Sequence, residues 1–139
     1  MAPNNKNNKK KQPKYSNPDP MSNVRDMGRH GLKMIRDIAK GTFNFYNDGH
    51  YFRNSDFTNA TIEEVKRELK RANIHATAMQ YTYANSSDPD VQKMLIEDLK
   101  SVEAYTLVYN TLMLVLSYNG DTRYLQILLT QLPRYRYNM

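Results

Sequence analysis

The sequence predicts an all-α fold of about four helices in a small bundle, preceded by an extended basic N-terminal arm. Three observations predict it. Apolar residues recur at Ile62, Val65, Leu69, Ala72, Ala76, Met79 and Tyr83, the alternating three- and four-residue spacing of a heptad seam. Asp88-Pro89 has the form of a helix start, and Gly120 stands where a helix of about 30 residues would end. Asn23 and Gly41 bracket a shorter amphipathic stretch in the same way. A chain of 139 residues has room for one domain and one core. It divides into a basic arm (1–20), a helical body (21–133) and an Arg/Tyr tail (134–139).

The arm holds four of the six prolines, five Asn and five Lys, with Tyr15 beside the last lysine. Such a segment buries too little apolar area to offset its ordering entropy in isolation. The first helix is expected from Asn23, with Asn23 as N-cap and Asp26 at N3. Val24, Met27, Gly31, Met34, Ile35 and Ile38 share one face, and Gly41 stops it. Gly28 and Gly31 each weaken this helix by roughly 1 kcal/mol relative to Ala, which points to close approach of another backbone.

Residues 42–57 are the least regular and carry all four Phe, with Tyr46 and Tyr51. Asn47-Asp48-Gly49 is a turn signal. Either a short hairpin across residues 43–53 or an aromatic loop packed on the helices accommodates it. Thr61-Ile62-Glu63-Glu64 matches a capping box, which would start the second helix at Thr61. The small Ala72 and Ala76 predict close helix–helix approach at mid-seam. Intramolecular packing is the expected use of the seam, and gripping a partner helix is its alternative.

The third helix runs from Asp88-Pro89 toward Gly120. The short Asn85–Asp88 connection makes helices two and three an antiparallel pair. From Leu107 to Leu116 the third helix is apolar on nearly every side, with only Asn110 and Thr111 polar. It is either the central helix or a contact with another chain. Leu107, Leu112, Met113, Leu114 and Leu116 are therefore candidate subunit contacts. A fourth helix follows Asp121, with Pro133 as its expected stop.

Chemistry is sparse. The three histidines, His30, His50 and His75, form no metal-ligand spacing, and no cysteine is present for a thiolate site, a nucleophile or a disulfide. Asp88 and Asp90 read as helix-capping acids, and Glu97, Asp98 and Glu103 as a solvated face. No glycine-rich phosphate loop exists among five scattered glycines. No catalytic residue, metal, cofactor or small-molecule substrate is expected. The polar N-terminus resembles no secretory signal, and the longest apolar run, Leu112–Leu116, is far short of the ~20 residues that span a bilayer. Secretion by a signal peptide and membrane contact are not expected.

The charge is uneven. Residues 1–40 carry ten Lys/Arg against three Asp, a net of +7, while residues 41–139 net −1. Two stretches are therefore candidate partner sites. In the arm, Lys6, Lys9, Lys10, Lys11, Lys14 and Tyr15 could meet an acidic protein surface or nucleic-acid phosphates. In the tail, Arg134, Tyr135, Arg136 and Tyr137 alternate two residue types that anchor protein interfaces and also stack on bases.

A helical body with terminal extensions, many tyrosines and no catalytic groups resembles the small accessory proteins in tailed-bacteriophage virions, such as those decorating a capsid or portal vertex. The resemblance rests on layout and composition across the whole chain. It implies a non-enzymatic assembly protein, located in a virion or the cytoplasm, whose arm and tail bind neighbouring subunits. The alternative is a nucleic-acid-binding protein that uses the lysine arm.

Overall fold

The computed structural model describes residues 20–138, with side chains from Asn23 to Tyr135. The fold is all-α. In chain order it comprises α1 (Pro20–Lys40), α2 (Phe45–Asp48), a 3-10 segment (Gly49–Arg53), α3 (Ser55–Thr82) and α4 (Pro89–Ser117). A 3-10 turn (Thr122–Leu125), α5 (Gln126–Gln131) and a closing 3-10 segment (Leu132–Asn138) follow. No strand occurs among the described residues.

α1 begins at Pro20, three residues before the expected Asn23 cap. Proline is at home in a first helical turn, where its missing N–H has no partner to lose. The expected stop holds. Gly41 takes φ +79°, and the Thr42 amide reaches back to the Asp37 carbonyl at 2.8 Å.

The hairpin alternative for residues 43–53 is replaced by helix. The Asn44 side chain accepts from the amides of Tyr46 and Asn47, which starts α2. Gly49 has φ −64°, so the positive φ that a tight hairpin turn demands is absent there. The bend packs its rings together. Phe43 meets Phe45 edge-on at 4.6 Å, and Phe52 meets Phe57 at 5.5 Å.

α3 starts at Ser55, six residues before the expected capping box. Asn54 is the N-cap and accepts from the amides of Asp56 and Phe57. Thr61 lies inside the helix, where its hydroxyl donates to the Phe57 carbonyl at 2.8 Å. Glu64 turns toward Arg67 instead of toward Thr61. The heptad seam packs within the chain, against α4, over most of its length: Ile62, Val65 and Ala76 are buried and Leu69, Ala72 and Met79 half-buried, while its last member, Tyr83, is exposed.

Asp88 caps α4 through the Asp90 amide, with Pro89 at the first position. The helix ends at Ser117, and Asn119 and Gly120 follow with φ +57° and +77°. A Cβ on Gly120 would sit 2.6 Å from the Arg53 Cα, so this turn also needs glycine for space. The C-terminal region is a mixed helix, not a single α-helix. The α-helix ends at Gln131, just before the expected stop at Pro133, but the chain does not leave helical geometry: it tightens to 3-10 from Leu132 and continues through Asn138. Proline fits the opening of such a turn because its φ is already near the required value.

One core gathers Ile35 and Ile38 of α1, Phe52, Phe57 and Val65, Val108, Leu112 and Val115 of α4, and Leu125, Leu128 and Leu132 of the C-terminal turns. Each such side chain contributes roughly 1.5–3 kcal/mol of burial free energy. α1 meets α3 where glycines allow it. A Cβ on Gly28 would lie 2.5 Å from the Ala60 carbonyl oxygen, and one on Gly31 would overlap the Thr61 hydroxyl. The core occupies one end of the long α3/α4 pair. From Asn73 to Thr82, α3 buries only Ala76, and the first half of α4, to Glu103, buries only Leu95. That end is a two-helix projection.

Candidate interaction surfaces

The sequence-predicted contacts separate once folded. Lys6, Lys9, Lys10, Lys11, Lys14 and Tyr15 lie outside the described residues. In the tail, Arg134 is exposed while Tyr135 packs against the core of its own chain. The side chains of Arg136 and Tyr137 lie outside those described. Among the α4 candidates, Leu112 is fully buried, and Leu107 and Leu116 are half-buried against the same core. Met113 and Leu114 are each 39% exposed and are the part of this set that reaches the surface. The all-round apolar stretch of α4 is thus central for most of its circumference.

Two surfaces flank α3. The first is an apolar trough. Leu69, Asn73, Ile74 and Tyr109 line a depression of about 550 Å³, with Lys66, Arg67, Lys70 and Glu63 at its edge. It continues along α3 into a second depression of about 510 Å³ lined by Asn73, Ile74, Thr77, Ala78 and Tyr81. Ile74 is 61% exposed and Tyr81 89%. Both stand off the heptad seam, because α4 has taken the seam face. Ile96 and Leu99 of α4 are also exposed on the projection. Apolar groups this accessible cost solvation free energy in an isolated molecule and recover it when covered.

The second surface is a polar groove between α1 and α3 with a volume of about 400 Å³. It is lined by Arg25, Arg29, Leu32 and Arg36 from α1 and by Glu64, Arg67, Glu68 and Arg71 from α3. Glu64 is buried and ion-paired with Arg67, and Glu68 pairs with Arg71 at 3.1 Å. Both pairs follow from i,i+3 spacing on one helix. The Arg36 Nε is buried and has no hydrogen-bond partner among the described residues. Five guanidinium groups against two carboxylates leave a net excess of three positive charges.

Beside this groove, Glu68, Arg71, His75, Asp98, Ser101 and Tyr105 line a smaller pocket of about 230 Å³. The His75 Nδ1 lies 3.3 Å from Asp98 Oδ2, close enough for an ion pair when the ring is protonated but not aligned as a hydrogen bond. Asp98 is therefore turned inward across the helix pair, not part of the solvated face expected for it. Among the described residues, no group of three His, Asp or Glu side chains could hold a metal ion, and no helix is long and apolar enough to cross a membrane.

Sequence reading missed both surfaces. The trough is invisible to seam counting because Ile74, Thr77, Ala78 and Tyr81 fall between seam positions. The groove had a legible signal that was left unused. Arg25, Arg29, Lys33, Arg36 and Lys40 recur at intervals of four, four, three and four, which places all of them on one stripe of α1. Comparisons with protein-family models, characterised proteins and solved structures found no match to this chain.

Proposed function

We propose that this chain is a non-catalytic assembly protein, a helical subunit that docks onto neighbouring subunits of a larger complex, in the manner of an auxiliary protein on a virion capsid or portal. The observation that carries this reading is the apolar trough on α3, with Ile74 and Tyr81 turned to solvent on a projection only two helices thick. An apolar centre with Lys66, Arg67 and Lys70 around it has the anatomy of a protein interface, dry in the middle and polar at the rim. Tyrosine suits such a site because it brings large area at low entropy cost. Rigid helices hold the surface ready, and the basic arm adds a cationic tether to it.

A second reading, nucleic-acid binding, is favoured by the concentration of all the excess positive charge in residues 1–40.

The first reading predicts self-association through the trough. Ile74→Ser with Tyr81→Ser should lower the light-scattering mass of the full-length protein. Because both residues are exposed, each change should alter stability by no more than about 0.5 kcal/mol. A mass unaltered by the double substitution would remove the trough from the account.

A further inference from the structure

We propose that the α1/α3 groove is a binding site for the phosphate backbone of a nucleic-acid strand, with the cationic stripe of α1 as its rail. The site belongs to the folded body, separate from the lysine arm, and it borders the trough at Arg67.

The stripe is the first ground. At about 100° per residue, Arg25, Arg29, Lys33, Arg36 and Lys40 fall within roughly 80° of arc and extend over about 22 Å. Successive members are spaced ~4.5–6 Å along the helix axis. A linear row of this density suits a linear polyanion better than a single small anion. The ten Lys/Arg of residues 1–40 divide into the five arm lysines and these five.

The groove is the second ground. Three of the stripe residues enter it and meet Arg67 and Arg71 from α3. Guanidinium groups match phosphate oxygens two at a time, and arginine is preferred where such pairing is needed. Glu64 and Glu68 hold Arg67 and Arg71 in place without cancelling the groove's charge. The buried, unpartnered Arg36 Nε marks a donor awaiting an acceptor, and native structures leave few such groups. Lys33 makes an exposed pair with Asp37 at 3.3 Å, which a phosphate can displace.

An acidic peptide would also carry negative charge. Peptide grooves, however, add side-chain pockets for specificity. Among the described residues Leu32 is the only apolar one lining this groove, so a repeating backbone charge is the better fit.

The test is fluorescence anisotropy of the full-length protein with a labelled single-stranded oligonucleotide of about 20 nucleotides, over about 50–200 mM salt. Arg29→Gln with Arg36→Gln should weaken binding and make the log–log salt slope shallower by about 1.4, the share of two phosphate contacts. Lys93→Gln with Lys100→Gln, the same charge change on exposed α4 positions, should keep the wild-type slope. Amide chemical-shift changes in the wild-type protein on adding the oligonucleotide should gather on α1 and on residues 64–71. The proposal is overturned if the groove variant keeps the wild-type slope or if the α4 control loses as much. It is equally overturned if the shifts stay within residues 1–19, or if a polyglutamate peptide binds more tightly than the oligonucleotide.

Discussion

At Gly28 the missing side chain is what lets α1 reach α3. Alanine there would gain about 1 kcal/mol in helix propensity. Its Cβ, however, would sit 2.5 Å from the Ala60 carbonyl oxygen, a backbone atom that cannot move without its helix. Overpacking of this kind costs about 1–3 kcal/mol, so the overlap should win. Gly28→Ala should therefore lower the urea midpoint; a raised midpoint would mean that the helices do not meet there. Asp121 offers a second test. The Arg123 side chain, followed by its backbone amide, holds the half-buried Asp121 carboxyl down from 3.8 to about 2. A lowered carboxylate value means that its stabilisation is fully present above pH 3.8 and is lost as pH falls through about 2. A carboxyl-carbon NMR titration should find the Asp121 midpoint near 2, and Arg123→Ala should return it toward 3.8. Residue-scale reading was mixed. Gly28 and Gly31 were legible as contact glycines because nothing else justifies them inside a helix. The capping-box pattern at Thr61 also fits a threonine inside a helix, and the true cap, Asn54, lies nearly two turns earlier.

At the scale of the element, α4 is the test case. Its stretch from Leu107 to Leu116 left open whether it is central or intermolecular. The fold divides that stretch by side, burying Val108, Leu112 and Val115 while leaving Met113 and Leu114 partly exposed. Leu112→Ala should therefore cost about 2–5 kcal/mol in chemical denaturation, the range for a buried leucine. Leu114→Ala should cost much less. Equal costs would contradict the burial pattern. The α3 seam and the Asp88-Pro89 start were readable because periodicity and capping are local. Residues 43–53 were not, since Asn44 and the Asn47-Asp48-Gly49 turn signal compete and packing of Phe43, Phe45 and Phe52 decides between them. The stripe on α1 is legible only as a helix face, because net charge along a segment does not say which side of the helix carries it.

At the scale of the whole molecule, the core secures one end of a long helix pair and leaves the other end as a thin projection. α3 and α4, of 28 and 29 residues, are each longer than the 21-residue α1 by about 10 Å. The apolar trough and the arginine groove flank α3, and Arg67 lines both. Their chemistry separates them under salt: screening weakens exposed charge contacts and leaves apolar burial intact or strengthened. The central claim is that this chain assembles through an apolar surface. The direct measurement is the light-scattering mass of the full-length protein, free of nucleic acid, in dilute salt and in about 1 M salt. The account predicts a discrete oligomer that persists at high salt. A monomer under both conditions, across a concentration series, would contradict it.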